Sequence, residues 1–202
     1  MARPRRSEHT RQELLELGVQ LLSENGYNGT GLKQILDAAG VPKGSFYNYF
    51  PSKEAYASEI IEFYMGNLLK MFDTVVANHT GTPLQIIRFT YRNLIDYLGK
   101  SPVNGTSCQG CLLGNMAAEI ASSSELCRQT MCSLYQEWRK RFAGLISKGQ
   151  KLGEIRNDMT PEMLADLFWN QWEGALLRMQ IEGSTTVLED ALEITLERFF
   201  RP

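Results

Sequence analysis

The chain has 202 residues, of which 43% are hydrophobic, and a formal net charge of −2. This composition is enough to bury a core and excludes a disordered chain. A charge so close to neutral gives no sign of nucleic-acid binding by itself. It is unevenly distributed, however: residues 1–53 carry seven bases and five acids, and the other 149 carry 14 bases and 18 acids. Any DNA-binding surface is therefore expected near the N-terminus, where four arginines cluster at Arg3, Arg5, Arg6 and Arg11.

No stretch approaches 18 consecutive apolar residues, and the N-terminus is charged where a signal peptide would be apolar. The sequence therefore predicts a cytoplasmic protein that does not bind a membrane. Its four cysteines are Cys108, Cys111, Cys127 and Cys132. In a reducing compartment they are expected as thiols and not as structural disulfides.

Helical periodicity runs through the whole chain, and no segment alternates as a β-strand would. The fold class predicted from this pattern is all-α, with about nine helices. In chain order they are expected at 8–25, 31–38, 42–48, 53–78, 83–98, 110–121, 124–149, 161–182 and 186–200.

Capping residues stand before several of these helices. Pro42 is expected at a first helical position, and Ser52 is expected to cap the helix at 53–78. Thr82 and Thr160 each precede a proline, which predicts a hydroxyl cap followed by a proline in the first turn. The run Ser122-Ser-Ser-Glu125 spells a capping box.

The two short helices at 31–38 and 42–48 follow each other across Gly40. This is the spacing of a helix-turn-helix, whose second helix enters the DNA major groove. The segment from Gly40 to Glu54 reads GVPKGSFYNYFPSKE. It resembles the TetR/AcrR family, whose signature is a glycine turn, a Lys/Arg-Gly-Ser/Thr-aromatic-Tyr run, and Phe-x-Ser-Lys opening a long helix. The resemblance covers about residues 10–60.

This resemblance implies a three-helix DNA-binding domain at 1–52 and a helical ligand-binding and dimerisation domain at 53–202. It also implies a transcriptional regulator, a repressor released from its operator by a small-molecule inducer or a reactive electrophile. An activator of the same fold is the alternative, because the motif specifies docking on DNA and not the sign of regulation.

Small and basic residues at the start of the second short helix suit a close approach to base edges. Lys43 can donate to a guanine edge, and Ser45 can bond a base or a phosphate. Gly44 lets the backbone come near, and Lys33 on the preceding helix can reach the same groove.

Phosphate contacts are expected just beyond these residues. By resemblance, Tyr47 and Asn48 contact phosphates, and Lys53 adds positive charge to the N-terminal end of the long helix. Phe46 and Phe50 are assigned to core packing, as most aromatic side chains are.

The helices at 161–182 and 186–200 carry more apolar residues than one core-facing stripe needs. Two such helices from each of two subunits would form a four-helix bundle. The predicted partners are therefore a second copy of the chain and a palindromic double-stranded operator. Two DNA-binding domains related by a two-fold axis bind two half-sites with the same symmetry. The alternative is that these helices close a monomeric core.

Cys108 and Cys111 have the spacing of a metal knuckle or a dithiol. A zinc site needs a second close pair, but Cys127 and Cys132 would lie about 140° apart around a helix. No metal and no cofactor is therefore predicted.

The residues Gly110-Cys111-Leu112, with Ala118-Glu119 and Ser124-Glu125-Leu126 after them, resemble the N-ethylmaleimide reductase repressor type within the same family. The resemblance implies that electrophiles are sensed through the cysteine of the Gly-Cys pair, so Cys111 is the candidate sensor. A lysine that this type places near the thiol corresponds to Gln180 here, with Arg178 close by in sequence.

A non-covalent ligand pocket among the later helices is the other hypothesis for induction. Arg92 and Arg178 are candidates for binding a carboxylate. Aromatic candidates for its lining are Tyr91, Trp138, Phe168 and Trp172, with Phe63, Phe72, Tyr97 and Tyr135 as further members.

An enzyme is the alternative from a different functional class. His9 and His79 are the two histidines, and neither stands with a nucleophile and a carboxylate as a catalytic triad requires. No phosphate-binding loop or dinucleotide glycine pattern occurs. The sequence therefore predicts no enzymatic activity.

Overall fold

A computed structural model describes residues 6–100 and 110–202, which form nine α-helices and one π-helix and contain no β-strand. The all-α class is confirmed. The α-helices are α1 (Arg6–Gly29), α2 (Leu32–Ala39), α3 (Lys43–Phe46), α4 (Lys53–Asn78), α5 (Pro83–Lys100), α6 (Leu112–Ile120), α7 (Glu125–Lys151), α8 (Pro161–Glu182) and α9 (Thr186–Ile194). Within these ranges no helix is long and apolar enough to cross a membrane.

The chain divides into two compact units. Unit 1 draws its described residues from Met1–Asn67 and Cys111–Leu134, so it contains α1, α2, α3, α6 and the first parts of α4 and α7. Unit 2 draws on Leu68–Gly110 and Tyr135–Pro202. A functional boundary between residues 52 and 53 stays a prediction. The compact units do not follow this predicted functional division. Helix α6 belongs to the same unit as the N-terminal helices because it packs against α1.

The apolar face of α1 packs against α4. Leu14 and Leu22 on this face are buried. Between them, Gly18 lies so near α4 that a Cβ on it would be 2.4 Å from Ile60 Cδ1 and 2.5 Å from the Tyr56 hydroxyl oxygen. The Tyr56 hydroxyl in turn donates a hydrogen bond to the Leu14 carbonyl. Unit 1 therefore depends on a close contact that any side chain at residue 18 would open.

Helix α1 has a break near its end, where the sequence predicted it to stop. Gly26 has φ 71° and ψ 173°, outside the helical region, and the chain makes one further turn to Gly29. The left-handed φ favours glycine at this position. The expected helix end at Asn25-Gly26 is thus present as a kink.

Hydroxyl caps form at some predicted positions and not at others. The side chains of Ser52 and Thr160 each accept a bond from the amide three residues on, as expected. The Thr82 cap is wrong: its hydroxyl is buried and has no partner within the described part of the chain. The Gln85 side chain accepts the Thr82 amide instead, at 2.9 Å.

Helix α7 is capped by Ser124. Its hydroxyl accepts the Cys127 amide at 3.1 Å and donates to the Glu54 carboxylate on α4. The predicted capping box from Ser122 to Glu125 is therefore wrong. In a capping box the glutamate is the third helical residue, whereas Glu125 is the first residue of α7.

In unit 2, α9 packs against α5 and α8. The Arg88 guanidinium on α5 pairs with Glu193 at 3.1 Å and with Glu197. The single helix predicted over 186–200 is replaced by α9 and a π-helix (Thr195–Phe199). At this junction the Thr195 hydroxyl bonds back to the Ala191 carbonyl at 2.7 Å, a side-chain bond that competes with regular helical bonding.

We expect Ser124→Ala to lower the free energy of unfolding by about 1–2 kcal/mol, because it removes a helix cap and a donor to Glu54. Urea denaturation followed by circular dichroism measures this change. The control is Ser123→Ala, whose hydroxyl bonds only the nearby Ile120 carbonyl among the bonds described. Equal losses in the two variants would contradict the role assigned to Ser124.

Candidate nucleic-acid interface and effector region

The turn between α2 and α3 is closed by Gly40. This residue is left-handed, with φ 62° and ψ 29°. Its amide and that of Val41 donate to the carbonyls of Asp37 and Leu36, at 3.3 and 3.1 Å. These two bonds form a Schellman motif, which ends α2 and redirects the chain.

Helix α3 is shorter than the sequence predicted. Pro42 has φ −61° and ψ 145°, so it precedes the helix and is not its first residue, and α3 ends at Phe46 instead of Asn48. Beyond Phe46, the amides of Asn48 and Tyr49 bond carbonyls three residues back, which tightens the chain into turns. The second helix of the motif is thus four residues long, with a turn attached.

Neighbouring aromatic residues in this segment have opposite environments. Phe46 and Phe50 are completely buried, and their rings lie 5.2 and 4.7 Å from the Tyr56 ring of α4. Tyr47 is 46% exposed. The buried pair therefore fixes α3 on α4 and leaves the Tyr47 side chain available to a partner.

Most of the residues predicted to contact DNA lie on this accessible surface. Lys33, Lys43, Gly44 and Asn48 are exposed, and Ser45 is half-buried. Lys33 and Lys43 line the same shallow groove between α2 and α3. A Cβ on Gly44 would meet nothing within 4 Å, so the backbone there is open to a ligand.

Lys53 differs from the other predicted contacts because it already has protein partners. Its ammonium donates to the Tyr27 carbonyl at 2.7 Å and lies 4.1 Å above the Tyr27 ring. Partial burial lowers the pKa of Lys53, and the nearby Glu119 carboxylate opposes that shift. Sequence inspection missed this anchor because Tyr27 lies 26 residues away.

One arginine of the N-terminal cluster is already paired within the protein. Arg3 and Arg5 lie outside the described residues, as does the side chain of Arg6. The Arg11 guanidinium forms an ion pair with Glu59 on α4. Arg11, which was expected near phosphates, is thus already neutralised within unit 1.

Unit 2 brings the four main aromatic ligand candidates into one buried cluster. The Tyr91 ring lies 4.5 Å from Phe168 and 4.8 Å from Trp172. Phe142 joins Phe168 to Trp138, at 4.6 and 5.0 Å. Of the further candidates, Phe72 is also within reach of Phe142, whereas Tyr97 is exposed.

A polar group borders this aromatic cluster. The Asp166 carboxylate on α8 accepts the Tyr135 hydroxyl at 2.5 Å and two donors of Arg139, at 2.5 and 2.8 Å. The bonds from Arg139 lower the pKa of Asp166. Burial, with help from the Asp166 charge, raises the pKa of Tyr135 to about 12. Sequence reasoning missed Arg139 and Asp166, which face each other from α7 and α8.

The two arginines proposed to bind a carboxylate are not part of this cluster. Arg92 is exposed and pairs with Glu193 at 2.8 Å, and Arg178 is exposed and pairs with Glu182 at 2.8 Å. Both guanidinium groups therefore serve surface ion pairs.

Two family models match this chain. The model described as "Bacterial regulatory proteins, tetR family" covers residues 14–60, which include α2, α3 and the buried Phe46 and Phe50. The model described as "Tetracyclin repressor-like, C-terminal domain" covers residues 83–195, more than half of the chain. The chain belongs to the TetR family. It is a helix-turn-helix transcriptional regulator, as the signature predicted.

Curated TetR-family relatives match over nearly the whole chain. The transcriptional repressor DhaR of Mycobacterium sp. (strain GP1) is 34% identical over 93% of this chain and 90% of its own length. The transcriptional repressor NemR of Escherichia coli K12 is 31% identical over 92% of both chains. The expected similarity to the N-ethylmaleimide reductase repressor type is confirmed.

Solved structures of the TetR family agree with the fold. E. coli NemR in its reduced form matches with a TM-score of 0.84 and 28% identity, over 94% of this chain and 96% of that one. The regulatory protein TetR from Rhodobacter sphaeroides matches with a TM-score of 0.84 and 33% identity, over 94% and 97%.

The cysteines of this TetR-family chain lie in three different environments. Cys111 is a half-buried thiol directly before α6, Cys127 is fully buried, and Cys132 is exposed. Burial raises the pKa of Cys127. Cys108 lies outside the described residues. No group of His, Cys, Asp or Glu in the described ranges could hold a metal ion.

Gln180 lies against Gly110, the residue before Cys111. Its amide nitrogen is 2.5 Å from the position that a Cβ on Gly110 would occupy. A side chain at residue 110 would therefore displace Gln180. Both residues belong to the positions by which the chain was compared with the N-ethylmaleimide reductase repressor type: Gly110 precedes the candidate sensor, and Gln180 stands where that type has a lysine.

Helix α8 has an apolar face on each side. Leu164, Phe168, Trp172 and Met179 are buried within unit 2. Met163, Leu177 and Ile181 are exposed, and Ile181 is 76% accessible. The exposed stripe, together with the half-buried Leu167 and the exposed Asn170 and Gly174, follows alternating steps of four and three residues.

Proposed function

We propose that this chain is a homodimeric repressor, which binds a palindromic operator through α2 and α3 and leaves it when an effector acts on its C-terminal part. The observation that carries DNA binding is the placement of Tyr47 outward beside the buried Phe46. The relatives named as repressors support the sign of regulation. An activator would use the same contacts with DNA.

The exposed surface around α3 suits the major groove, which is about 12 Å wide. Lys43 donates to a guanine edge, and Ser45 bonds a base or a phosphate. The absence of a side chain on Gly44 lets the backbone approach. Lys33 reaches the groove from α2, next to Lys43.

Phosphate contacts fix the register of the protein on the duplex. Tyr47 and Asn48, both exposed just after α3, supply neutral donors to phosphate oxygens. Lys53 uses one of its three donors on Tyr27, which leaves two for a phosphate.

A second copy of the chain is the partner that the exposed face of α8 favours. An apolar stripe with steps of four and three residues packs well against an antiparallel copy of itself. Leu177 and Ile181 supply its largest exposed side chains, and Gly174 lets two helices come close. Ile194 and Phe199, close to the C-terminus, are also exposed apolar residues.

The aromatic cluster of unit 2 is the candidate site for a non-covalent effector, which would have to separate rings whose centres now lie 4.5–5.0 Å apart. Its rings suit an aromatic or apolar ligand body. At its border, Arg139 and Asp166 neutralise each other. This arrangement favours an effector with a neutral hydrogen-bonding group over a carboxylate, because Arg92 and Arg178 are committed elsewhere.

A second mode of release uses Cys111. Its half-buried thiol precedes α6, where the helix N-terminus favours a thiolate. The thiolate would add to the β-carbon of an α,β-unsaturated carbonyl compound, forming a C–S bond, while the α-carbon takes a proton from water. The buried Cys127 has a raised pKa and is a poorer nucleophile.

We expect Lys43→Ala and Tyr47→Ala each to weaken operator binding about tenfold, by loss of a base contact and of a phosphate contact. The probe is a DNA fragment flanking the chain's own gene, in a gel-shift assay at fixed salt. Lys70→Ala and Tyr97→Ala are matched controls, since both residues are exposed outside α2 and α3. Undiminished binding by both test variants would overturn the interface.

We expect Ile181→Glu to weaken self-association at least tenfold, because it would bury an unpaired carboxylate against the apolar stripe of the partner helix. Sedimentation velocity over a concentration series measures the change. Leu152→Glu is the control: like Ile181, Leu152 is a strongly exposed aliphatic residue, 65% accessible, but it lies past the end of α7. Dimers of unchanged stability in the Ile181 variant would exclude this face.

We expect N-ethylmaleimide to release the wild type and Cys132→Ser from DNA, and to leave Cys111→Ser bound. Mass spectrometry should find the adduct on Cys111 at the dose that causes release. Cys132 is the matched control because its thiol is more exposed than that of Cys111. Release of the Cys111→Ser variant at the same dose would exclude this thiol as the sensor.

A further inference from the structure

One carboxylate of α6 bonds to the last turn of α1. Glu119 accepts the backbone amide of Asn28 at 2.8 Å. Its other oxygen lies only 2.2 Å from the position that a Cβ on Gly26 would occupy. The missing side chain at the α1 kink is therefore what admits this carboxylate, and Glu119 is the one ionisable residue of α6.

The backbone that Glu119 bonds leads directly into α2 and α3, the two helices proposed to bind DNA. Residues 27–29 form the last turn of α1, and α2 begins with Leu32 after two intervening residues. In this connection Thr30 is fully buried, and its hydroxyl bonds the Gly26 carbonyl at 2.7 Å. The bonds of this short segment therefore help to place α2, which carries Lys33 and is also packed through the buried Ile35 and Leu36.

Three elements supply those bonds. Thr30 bonds the segment to α1 itself, the Lys53 ammonium on α4 bonds the Tyr27 carbonyl, and Glu119 on α6 bonds the Asn28 amide. Helices α1 and α4 also carry residues predicted to contact DNA, whereas α6 carries none. The bond from Glu119 therefore links the segment before α2 to α6, an element of the C-terminal part of the sequence.

We propose that Glu119 is a positioning residue for operator binding: by holding the Asn28 amide, it fixes the connection that sets α2 and α3 for docking. The residue does not touch DNA. The inference rests on the operator binding proposed above and goes beyond it, because it assigns part of the affinity to a carboxylate on α6.

The sign of the effect separates positioning from simple electrostatics. Removing a negative charge near DNA strengthens binding through phosphate attraction. Loss of a positioning bond weakens binding to the operator and spares non-specific DNA. The two explanations thus predict opposite changes in operator affinity for the same substitution.

The test compares Glu119→Leu and Glu119→Gln with the wild type on the operator fragment and on a scrambled duplex. We expect Glu119→Leu to lose about fivefold in operator affinity, the typical effect of one hydrogen bond, with scrambled DNA unaffected. Glu119→Gln keeps an acceptor oxygen and should bind within about twofold of the wild type. Glu62→Leu, at an exposed glutamate of α4, is the matched control.

A spectroscopic measurement tests the bond without DNA. In the ¹⁵N-labelled full chain, the Asn28 amide proton should shift upfield in Glu119→Leu, where it loses a carboxylate acceptor, and much less in Glu119→Gln. An unmoved resonance in the folded leucine variant would overturn the proposal. Thermal unfolding of each variant shows whether it is folded.

The outcomes are distinguishable from failure of the proposed function. If the wild type and Glu62→Leu do not bind the operator fragment, operator binding itself fails. If they bind and Glu119→Leu binds equally well or more tightly, positioning by Glu119 is wrong. Equal losses on operator and scrambled DNA would also contradict it.

Discussion

Helix α3 is too short to be stable by its own hydrogen bonds, because a four-residue segment completes only about one helical turn. Burial of Phe46 and Phe50 against Tyr56 on α4 holds it in place. The rest of the reading surface depends on this constraint. Tyr47 faces solvent because its neighbour Phe46 is turned inward, and Gly40 provides the left-handed turn that brings α3 to this position.

The sequence predicted most of the helical framework because the signals that define it are local. Helices α4 and α8 begin and end where capping and periodicity indicated, and the kink at Gly26 marks the expected end of α1. The family signature identified the reading segment. Burial then separated Tyr47 from Phe46 and Phe50 as predicted, because residues four apart in a helical turn face the same side.

What the sequence did not predict involves partners distant along the chain. Glu119 and Asn28 are 91 residues apart, and Arg139 and Asp166 are 27 apart. No periodic pattern encodes such pairs. The incorrect cap at Thr82 and the incorrect capping box at Ser122 have a local cause instead: the Gln85 side chain accepts the Thr82 amide, and the cap of α7 lies at Ser124, two residues after the position that the box requires.

The guanidinium of Arg11 is paired with Glu59 and is not free to neutralise a phosphate. Fewer cations of unit 1 therefore remain to displace counterions from random duplex, and affinity for bulk DNA depends on their number. Because a genome offers a vast excess of competing sites, weak non-specific binding leaves more protein unbound. A small number of molecules per cell would then suffice to occupy one operator, and the unbound fraction would remain accessible to whatever signal the cell produces.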